Sequence, residues 1–364
     1  MNHKKIVFVL NAINITRCQK RVQEFIDAGY KVDVYGFERG GETYATPVGF
    51  SITPIGCHEV SMSYYKRLAI IVKSLRQLHR KYKDKDVVFY YFFFDVSFAA
   101  SLVSKRHYIY EESDIPYANM NPVFVRKILA WCDKRIIKRA LLTIMTSEGF
   151  ITYHRLQNQR ENIIVIPNRV NPALLQLPYT HKKFDDGNLS IGFVGGFRYQ
   201  SILYFVKEVV CKFKYVTFHV YGNIMSYVAE LQDLVKNNPN LVLHGIFENP
   251  TDLPFVYESL DLVLATYDAD SINAQYAEPN KMYESIFFRV PIIVSKGTFL
   301  SEKVERLGIG YSVNALDNEE IDRLVRSISK ESIMEKIQNL SKIPQEEAVN
   351  ANPRLFEFLK EKNI

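Results

Sequence analysis

Apolar runs of strand length alternate with segments of helical periodicity along almost the whole chain. The first run is Lys5 to Leu10, and the pattern restarts at Leu189 after a stretch without periodicity. Near-continuous apolar runs separated by amphipathic helices are typical of parallel strands that are covered by helices on both faces. The pattern therefore predicts an α/β protein with two Rossmann-like domains, each built on a parallel sheet.

The length of the chain bounds the number of domains. Its 364 residues are enough for two domains with separate cores. Residues 171–188 contain prolines and charges without any period, which predicts a linker. The first domain is then expected to span residues 1–170 and the second residues 189–344. A final helix is expected in residues 345–364, and it could cross back to the first domain.

The composition argues against several classes of protein. The longest uncharged apolar run, Val87 to Phe94, is far shorter than the roughly 20 residues of a membrane-spanning helix. The apolar segment near the start is too short for a secretory signal, so we expect a cytoplasmic protein. The four cysteines have no CxxC spacing and indicate neither a zinc site nor a disulfide framework. No metal ion and no cofactor are expected.

The net charge of +6 is distributed unevenly along the chain. Residues 1–170 contain 26 Lys and Arg against 15 Asp and Glu, a balance of +11, whereas the remainder contains 20 against 25, a balance of −5. Much of the excess lies in Tyr64 to Lys83 and Arg126 to Arg139, where apolar residues recur at helical spacing between cations. Such helices predict contact with an anionic membrane surface, or alternatively a core-facing helix with a solvated basic side. No nucleic-acid motif accompanies the charge, and no nucleic acid is expected as a partner.

Residues 278–295 join a helix start to a following apolar strand. Pro279, Asn280 and Lys281 fall in or beside the first turn, and Glu284 lies one turn further on. The unpaired N–H groups and the macrodipole of a helix start attract phosphate, and Lys281 would add a full charge. Glu284 could accept hydrogen bonds from two ribose hydroxyls. The alternative is an ordinary capped amphipathic helix with solvated charges.

An ordered series of short motifs resembles the GT-B glycosyltransferases, specifically the retaining group numbered family four and its relatives in bacterial polysaccharide and capsule synthesis. In chain order the motifs are Thr146 to Phe150, Val165 to Asn168, Ile191 to Arg198, Val220 to Asn223, His244-Gly245, Tyr257 to Val263 and Glu278 to Ser295. The resemblance spans nearly the whole chain. It implies a GT-B fold, with two Rossmann-like domains that face each other across a cleft. The donor nucleotide-sugar would be bound mainly by the second domain, and the acceptor mainly by the first.

For the donor, the resemblance implies contacts to a diphosphate, a ribose and a base. Gly195 and Gly196, at a predicted strand end, would let the backbone approach a diphosphate closely, and Arg198 would supply a guanidinium. With Lys281, this charge could stabilise the leaving diphosphate and make a divalent metal unnecessary. The alternative for the two glycines is a plain tight turn. The candidate nucleotide-sugar-binding residues are Gly195, Gly196, Arg198, Tyr221, Gly222, Asn280, Lys281 and Glu284.

The chain departs from the family pattern in two places. The retaining group carries two glutamates eight positions apart, but the residue eight positions before Glu284 is Tyr276. Glu278 is nearby, although out of register, and is kept as a candidate catalytic residue. The group's lysine shortly after the glycine turn is missing, and Lys281 could take its place in space. Both a retaining and an inverting reaction therefore stay open.

For a catalytic base, the first domain offers a carboxylate cluster at the end of a predicted strand, where α/β sheets hold their ligands. An inverting enzyme would need one carboxylate within hydrogen-bond reach of the acceptor hydroxyl. Asp114 is the first choice and Glu111 the second, with Asp95 and His107 as further candidates. The alternative for the cluster is helix capping and solvated charge before Pro116.

Two other segments bear on the acceptor and on metal binding. Residues Asn11 to Arg17, after the first strand, are expected to line the acceptor side, with Asn14 and Arg17 as contacts, and Arg17 and Arg21 are available to a phosphorylated lipid carrier. Asp268-Ala269-Asp270 matches the aspartate pair with which GT-A glycosyltransferases hold a cation. A GT-A fold would place that pair at a strand end in a single domain, so no metal site is predicted there.

The sequence thus predicts a metal-independent, hexosyl-type glycosyltransferase that uses a nucleotide-diphosphate sugar, with UDP as the expected nucleotide. The expected acceptor is a growing, lipid-linked surface polysaccharide at the inner face of the plasma membrane. A UDP-sugar 2-epimerase shares the fold, but the basic first domain argues against it. A catalytically silent GT-B subunit that binds a partner enzyme or membrane also stays open, because position 276 lacks a glutamate.

Overall fold

The computed structural model describes residues 4–40, 49–59, 61–118, 120–180 and 187–364. The chain folds into two compact units. The first comprises Met1–Ile166 with Asn352–Ile364, and the second comprises Pro167–Ala351. Among the described residues, no helix is long and apolar enough to span a bilayer.

The first unit is built on a seven-stranded sheet in which every strand pair is parallel. Its strands are β1 (Lys5–Leu10), β2 (Val32–Gly40), β3 (Thr53–Glu59), β4 (Val87–Phe92), β5 (Tyr108–Glu112), β6 (Leu142–Met145) and β7 (Ile163–Val165). Its helices before the second unit are α1 (Thr16–Asp27), α2 (Tyr64–Lys81), α3 (Phe94–Val103), α4 (Val123–Arg139) and α5 (Glu148–His154). The strand order is β3-β2-β1-β4-β5-β6-β7.

The second unit is built on a six-stranded parallel sheet of order β10-β9-β8-β11-β12-β13. Its strands are β8 (Leu189–Val194), β9 (Val216–Tyr221), β10 (Leu241–Gly245), β11 (Leu262–Ala265), β12 (Ile292–Ser295) and β13 (Gly310–Val313). Its helices are α6 (Gln200–Lys212), α7 (Val228–Asn237), α8 (Leu253–Glu258), α9 (Ile272–Tyr276), α10 (Asn280–Phe288), α11 (Phe299–Leu307), α12 (Asn318–Ser327) and α13 (Lys330–Ser341). Short 3₁₀ helices lie at Pro172–Gln176 and Gln345–Ala348. The predicted α/β class with two parallel-sheet units is confirmed.

In both units the chain reverses its direction of travel across the sheet beside the first strand. In the first unit β1 lies between β2 and β4, and in the second unit β8 lies between β9 and β11. The crossovers on the two sides of such a strand leave a crevice beyond the carboxyl ends of the central strands, where doubly wound sheets bind ligands. The topology therefore predicts ligand-binding residues after β1 and β4 in the first unit, and after β8 and β11 in the second.

The end of the chain returns to the first unit. Helix α14 (Pro353–Glu361) buries Leu355 and Leu359 completely in the core that also contains β1 and α1. The side chain of Asn352 donates to Glu24 Oε2 at 2.9 Å, and Tyr30 donates to the Ile364 carbonyl at 3.3 Å. The predicted final helix begins later than residue 345, because residues 345–348 form a 3₁₀ turn that belongs to the second unit.

Among the elements that differ from the sequence prediction, three do so for clear physical reasons. Strand β3 was not predicted because it is a largely exposed edge strand that contains a proline and a glycine. Helix α3 follows β4 almost directly and is apolar on nearly every side, so the two look like one run. The predicted linker at residues 171–188 contains the first 3₁₀ helix, whose Leu174 is buried in the second unit's core. Residues 181–186 of that segment lie outside the described residues.

Candidate functional site

The carboxyl ends of β8 and β9 meet backbone to backbone. Gly195 has φ +133°, Gly222 has φ +123°, and the Gly195 N–H donates to the Tyr221 carbonyl at 2.7 Å. A Cβ atom on Gly222 would lie 2.2 Å from the Gly195 carbonyl oxygen, so no other residue fits there without moving the turn. The Gly222 N–H in turn donates to the Gly245 carbonyl at 2.6 Å, which joins the end of β10 to the same turn.

Lys281 lies beside this glycine turn. A Cβ atom on Gly195 would be 3.1 Å from Lys281 Nζ, which places the ammonium group at the end of β8. Nζ lies 4.6 Å from the centre of the Phe193 ring, and it is 3.5 Å from the hydroxyl of Tyr267, which follows β11. Lys281 therefore lies where β8 and β11 end, which is the reversal point of the second unit's sheet.

The charge on Lys281 is held in a partly buried, aromatic environment. Burial lowers the pKa of Lys281, Glu284 offsets part of that effect, and the nearby charge of Arg198 lowers the pKa further. A partly desolvated cation that lies near a second cation favours an anion beside it. An anionic group such as a diphosphate would relieve both the repulsion and the loss of hydration.

Arg198 is exposed and is held by aromatic contacts. Its guanidinium lies 5.0 Å from the centre of the Tyr199 ring and donates to the Tyr199 hydroxyl at 2.8 Å. Tyr199 packs edge to face on Tyr267, with ring centres 4.9 Å apart. We call Phe193, Arg198, Tyr199, Tyr267 and Lys281 the cation–aromatic cluster.

The remaining predicted donor residues lie around this cluster with defined partners. The Glu284 carboxylate is buried and accepts from the Tyr257 hydroxyl at 2.6 Å. The Asn280 side chain is exposed and accepts a hydrogen bond from Asn168. The Tyr221 ring is buried and stacks on exposed His244, with ring centres 4.0 Å apart, so it supports the carboxyl end of β10.

Glu278 forms an ion pair with Lys303. Its Oε2 atom accepts from Lys303 Nζ at 2.6 Å and from the Tyr283 hydroxyl at 2.5 Å, and the residue is 6% exposed. These contacts tie the segment before α10 to α11. They give Glu278 a positioning role in this unit, and its catalytic role stays a prediction.

Asp268 serves as the cap of a helix. Its carboxylate accepts from the backbone N–H groups of Ser201 at 2.9 Å and Gln200 at 3.3 Å, at the start of α6. An aspartate that caps a helix start stabilises the unpaired N–H groups there. This role accounts for one aspartate of the Asp268-Ala269-Asp270 sequence. A cavity of about 200 Å³ lies beside it, and its polar lining includes Ser201, Asp270, Lys296 and Asn314.

In the first unit, Glu111 is buried at the end of β5 between two arginines. It accepts from Arg21 Nε at 3.0 Å, from Arg17 Nε at 3.3 Å and from the Tyr90 hydroxyl. Burial alone raises the pKa of Glu111, but the two arginines outweigh it and the pKa lies below its ordinary value. Glu111 therefore stays ionised in a fixed network, and Arg17, expected on the acceptor side, is its ion-pair partner.

The other first-unit candidates are placed differently. Asp114 follows β5 directly, and its side chain is exposed, whereas Asn14 is partly buried in the loop after β1. Asp95, in the first turn of α3, lies 3.7 Å from Arg67, and burial raises the pKa of its carboxyl. Of the carboxylates named for the catalytic base, Asp114 is thus the exposed one at the end of β5. Its catalytic role stays a prediction.

The fold can now be compared with solved structures. No protein-family model matches the chain, and no curated protein matches it by sequence. A sucrose-phosphate synthase from Thermosynechococcus elongatus is 13% identical, with a TM-score of 0.68 and 99% of each chain covered. Anabaena HepE in complex with UDP is 14% identical, with a TM-score of 0.65 and 98% of each chain covered. The lipopolysaccharide outer core galactosyltransferase WaaB is 13% identical, with a TM-score of 0.64, and 99% of this chain and 98% of that chain are covered.

This chain has the GT-B fold. The fold predicted from the ordered motifs is confirmed, while similarity at this level of identity leaves the chemistry to be argued from the residues. In this GT-B chain the predicted Gly195, Gly222, Lys281 and Arg198 come together at the end of β8.

Sequence reasoning missed three residues of the cation–aromatic cluster. Tyr267 follows β11, and its position could have been found from the rule that ligands bind beyond the strands at the reversal point. Phe193 lies within β8, and Tyr199 precedes α6, so both look like ordinary core and boundary residues in the sequence.

Gly195→Ala tests whether the glycine turn controls the position of Lys281. The new methyl group would meet Nζ at 3.1 Å in a backbone conformation that L-residues rarely adopt. We expect UDP binding to weaken about tenfold or more, which corresponds to about 1.4 kcal/mol, in isothermal titration. Gly297→Ala is the matched control, since Gly297 also has a positive φ, +75°, but no atom lies within 4 Å of the new Cβ. Equal affinities in the two variants would contradict this role of the turn.

Proposed function

We propose that this GT-B chain is a glycosyltransferase that takes its sugar from a nucleoside-diphosphate sugar, with UDP as the nucleotide. The observation that carries the proposal is the cation–aromatic cluster at the reversal point of the second unit's sheet. The similarity to a HepE structure that contains UDP and to a galactosyltransferase supports this choice.

The charges of the cluster suit a leaving diphosphate. As the bond between the sugar and the diphosphate breaks, negative charge develops on the phosphate oxygens. Lys281 and Arg198 supply two cations, and a close-approaching backbone at Gly195 leaves room for phosphate oxygens. Stabilisation of the leaving group by these cations supports a reaction that requires no divalent metal.

The ribose is assigned to Glu284. It lies on α10 one turn after Lys281, and the Tyr257 hydroxyl fixes one of its carboxylate oxygens. A carboxylate whose orientation is fixed by a buried phenol is a suitable acceptor for vicinal hydroxyl groups. The exposed carboxyl end of β10, which includes His244, and the loop that follows it are assigned to the base.

The acceptor is assigned to the first unit, with Asp114 as the base that removes the proton from the acceptor hydroxyl. Asp114 is exposed at the carboxyl end of β5, whereas Glu111 is committed to Arg17 and Arg21. An incoming acceptor hydroxyl can reach an exposed carboxylate, whereas it cannot reach the fully buried carboxylate of Glu111.

We further propose that the acceptor is lipid-linked and that the first unit contacts an anionic membrane through one face of α4. Phe124, Ile128 and Trp131 are 63%, 54% and 57% exposed, and their spacing places them on one side of the helix. Arg135 continues this face, with its guanidinium 4.5 Å from the centre of the Trp131 ring. Exposed apolar and aromatic side chains among cations fit the interface of an anionic leaflet.

Nucleotide titration tests the donor proposal. We expect UDP to bind in the presence of EDTA, more tightly than GDP, ADP or CMP. Lys281→Ala should weaken UDP binding about tenfold or more because a charge-assisted contact in a desolvated place is lost. Lys207→Ala removes an exposed lysine about two turns along α6 and serves as the matched control. Failure of all four nucleotides to bind would overturn the donor site.

Turnover separates an enzyme from a silent subunit. Release of UDP from UDP-sugars in the presence of membrane extract should be detected for the wild type and fall strongly in Asp114→Asn. UDP binding without any turnover on a panel of UDP-sugars would favour the silent GT-B subunit instead.

Vesicle sedimentation tests the membrane face of α4. We expect the protein to bind phosphatidylcholine vesicles that contain phosphatidylglycerol, and to bind pure phosphatidylcholine vesicles weakly. Trp131→Ala should reduce this binding severalfold, because it removes apolar area and the ring that packs against Arg135. Phe255→Ala, which removes a 69% exposed aromatic side chain of the second unit, is the control and should have no effect. Equal losses in both variants would rule out a specific α4 face.

A further inference from the structure

A buried cluster of two carboxyl groups and one histidine lies directly behind the loop that carries Asp114. It consists of Glu112 at the end of β5, Asp133 in α4 and His154 at the end of α5, each no more than 1% exposed. His154 Nε2 lies 2.7 Å from Glu112 Oε1 and 3.8 Å from Asp133 Oδ2. The Tyr117 hydroxyl donates to Asp133 Oδ2 at 2.6 Å.

Burial favours the uncharged form of each of the three groups. Burial raises the pKa of Glu112 and of Asp133 to about 8 each, and burial lowers the pKa of His154. At neutral pH a protonated Glu112 can therefore donate to the unprotonated Nε2 of His154. The hydrogen bonds between Glu112 and His154 and between Tyr117 and Asp133 join β5, α4, α5 and the segment after β5 to one another.

Hydrogen bonds of the cluster hold both ends of the loop that carries Asp114. Glu112 precedes the loop and Tyr117 follows it, and each is bonded to a member of the cluster. Between them, the Ser113 carbonyl accepts from Thr146 Oγ1 at 3.1 Å, and Ile115 is 2% exposed. Asp114 is thus an exposed side chain on a short segment whose neighbours are buried and bonded. Its charge also reaches the cluster, since it raises the pKa of Glu112.

We propose that Asp133 is a positioning residue for Asp114, acting through Tyr117 and through the Glu112–His154 pair. This inference rests on the proposed function, in which Asp114 is the base. Asp133 touches no substrate; it fixes the segment that presents Asp114, so its loss changes the chemical step and leaves donor binding in the second unit unchanged.

A divalent cation is the other occupant that three such side chains suggest, since their ligand atoms lie within 4.8 Å of one another. The close approach of His154 and Glu112 favours a hydrogen bond over a shared ion, because it already joins the two groups directly. Measurement of bound metals in the purified protein by mass spectrometry decides this point. One bound divalent ion per chain that is lost in Asp133→Ala would overturn the positioning role in favour of a metal site.

Tyr117→Phe tests the proposal without changing the shape of the core. The variant removes the hydrogen bond to Asp133 and keeps the ring that packs on Phe94. Hydrogen exchange in residues 113–118 should become faster, and kcat should fall about tenfold to hundredfold while KM for the donor and the Kd for UDP stay unchanged. Asp133→Asn, which retains an acceptor for Tyr117, should keep more activity than Asp133→Ala.

Tyr108→Phe is the matched control. Tyr108 also joins β5 to α4, through a buried hydrogen bond of 3.0 Å to the Ile136 carbonyl, but at the opposite end of the strand from Asp114. Unchanged exchange of residues 113–118 in Tyr117→Phe, or equal effects of the two variants, would refute the positioning role. Hydrogen exchange can be measured without turnover. A failure of the positioning role is therefore distinguishable from a failure of the proposed function, in which the wild type releases no UDP.

Discussion

Two turns of backbone touch at the ends of β8 and β9, and the candidate donor site depends on that contact. The space between Gly195 and Gly222 admits no side chain, since a Cβ atom on Gly222 would lie 2.2 Å from a carbonyl oxygen. The missing side chains leave room for Lys281 to approach the strand end, where aromatic rings and burial weaken its hydration. A cation that has lost water interacts more strongly with an anionic ligand than a solvated surface lysine does.

The two units share a topology and use charge in different ways. In the first unit a buried carboxylate at a strand end is neutralised within the protein, because Glu111 takes both Arg17 and Arg21. In the second unit Lys281 and Arg198 repel each other at the corresponding end of the sheet. The ion pairs of Glu111 stabilise the first unit without a ligand. An anion bound beside Lys281 and Arg198, in contrast, would offset the repulsion between these two cations. This difference supports the assignment of the diphosphate to the second unit.

Periodicity was sufficient to predict much of the fold. Strand β1 has the predicted bounds Lys5–Leu10, and β8 begins at the predicted Leu189, because each is a clear apolar run with clear ends. Edge strand β3 lacks such a period. A single sequence predicts an element well only where the residues of that element themselves carry a clear apolar period.

The candidate site was predictable only in part, because side-chain partners are set by the tertiary fold. Arg17 and Glu111 were assigned separate roles, yet they are partners that lie 94 residues apart in the chain. The cluster of Glu112, Asp133 and His154 draws on three elements, and no spacing in the sequence joins them. Lys281, by contrast, could be found because a helix start after a proline is itself a local signal for an anion.

A crystal structure of the protein with UDP bound would locate the donor site. We expect diphosphate oxygens within hydrogen-bond distance of Lys281 Nζ and of the backbone N–H group of Gly196, with no metal ion between them. Density for UDP elsewhere, such as in the cavity lined by Asp270 and Lys296, would rule out a donor site beside Gly195 and Lys281.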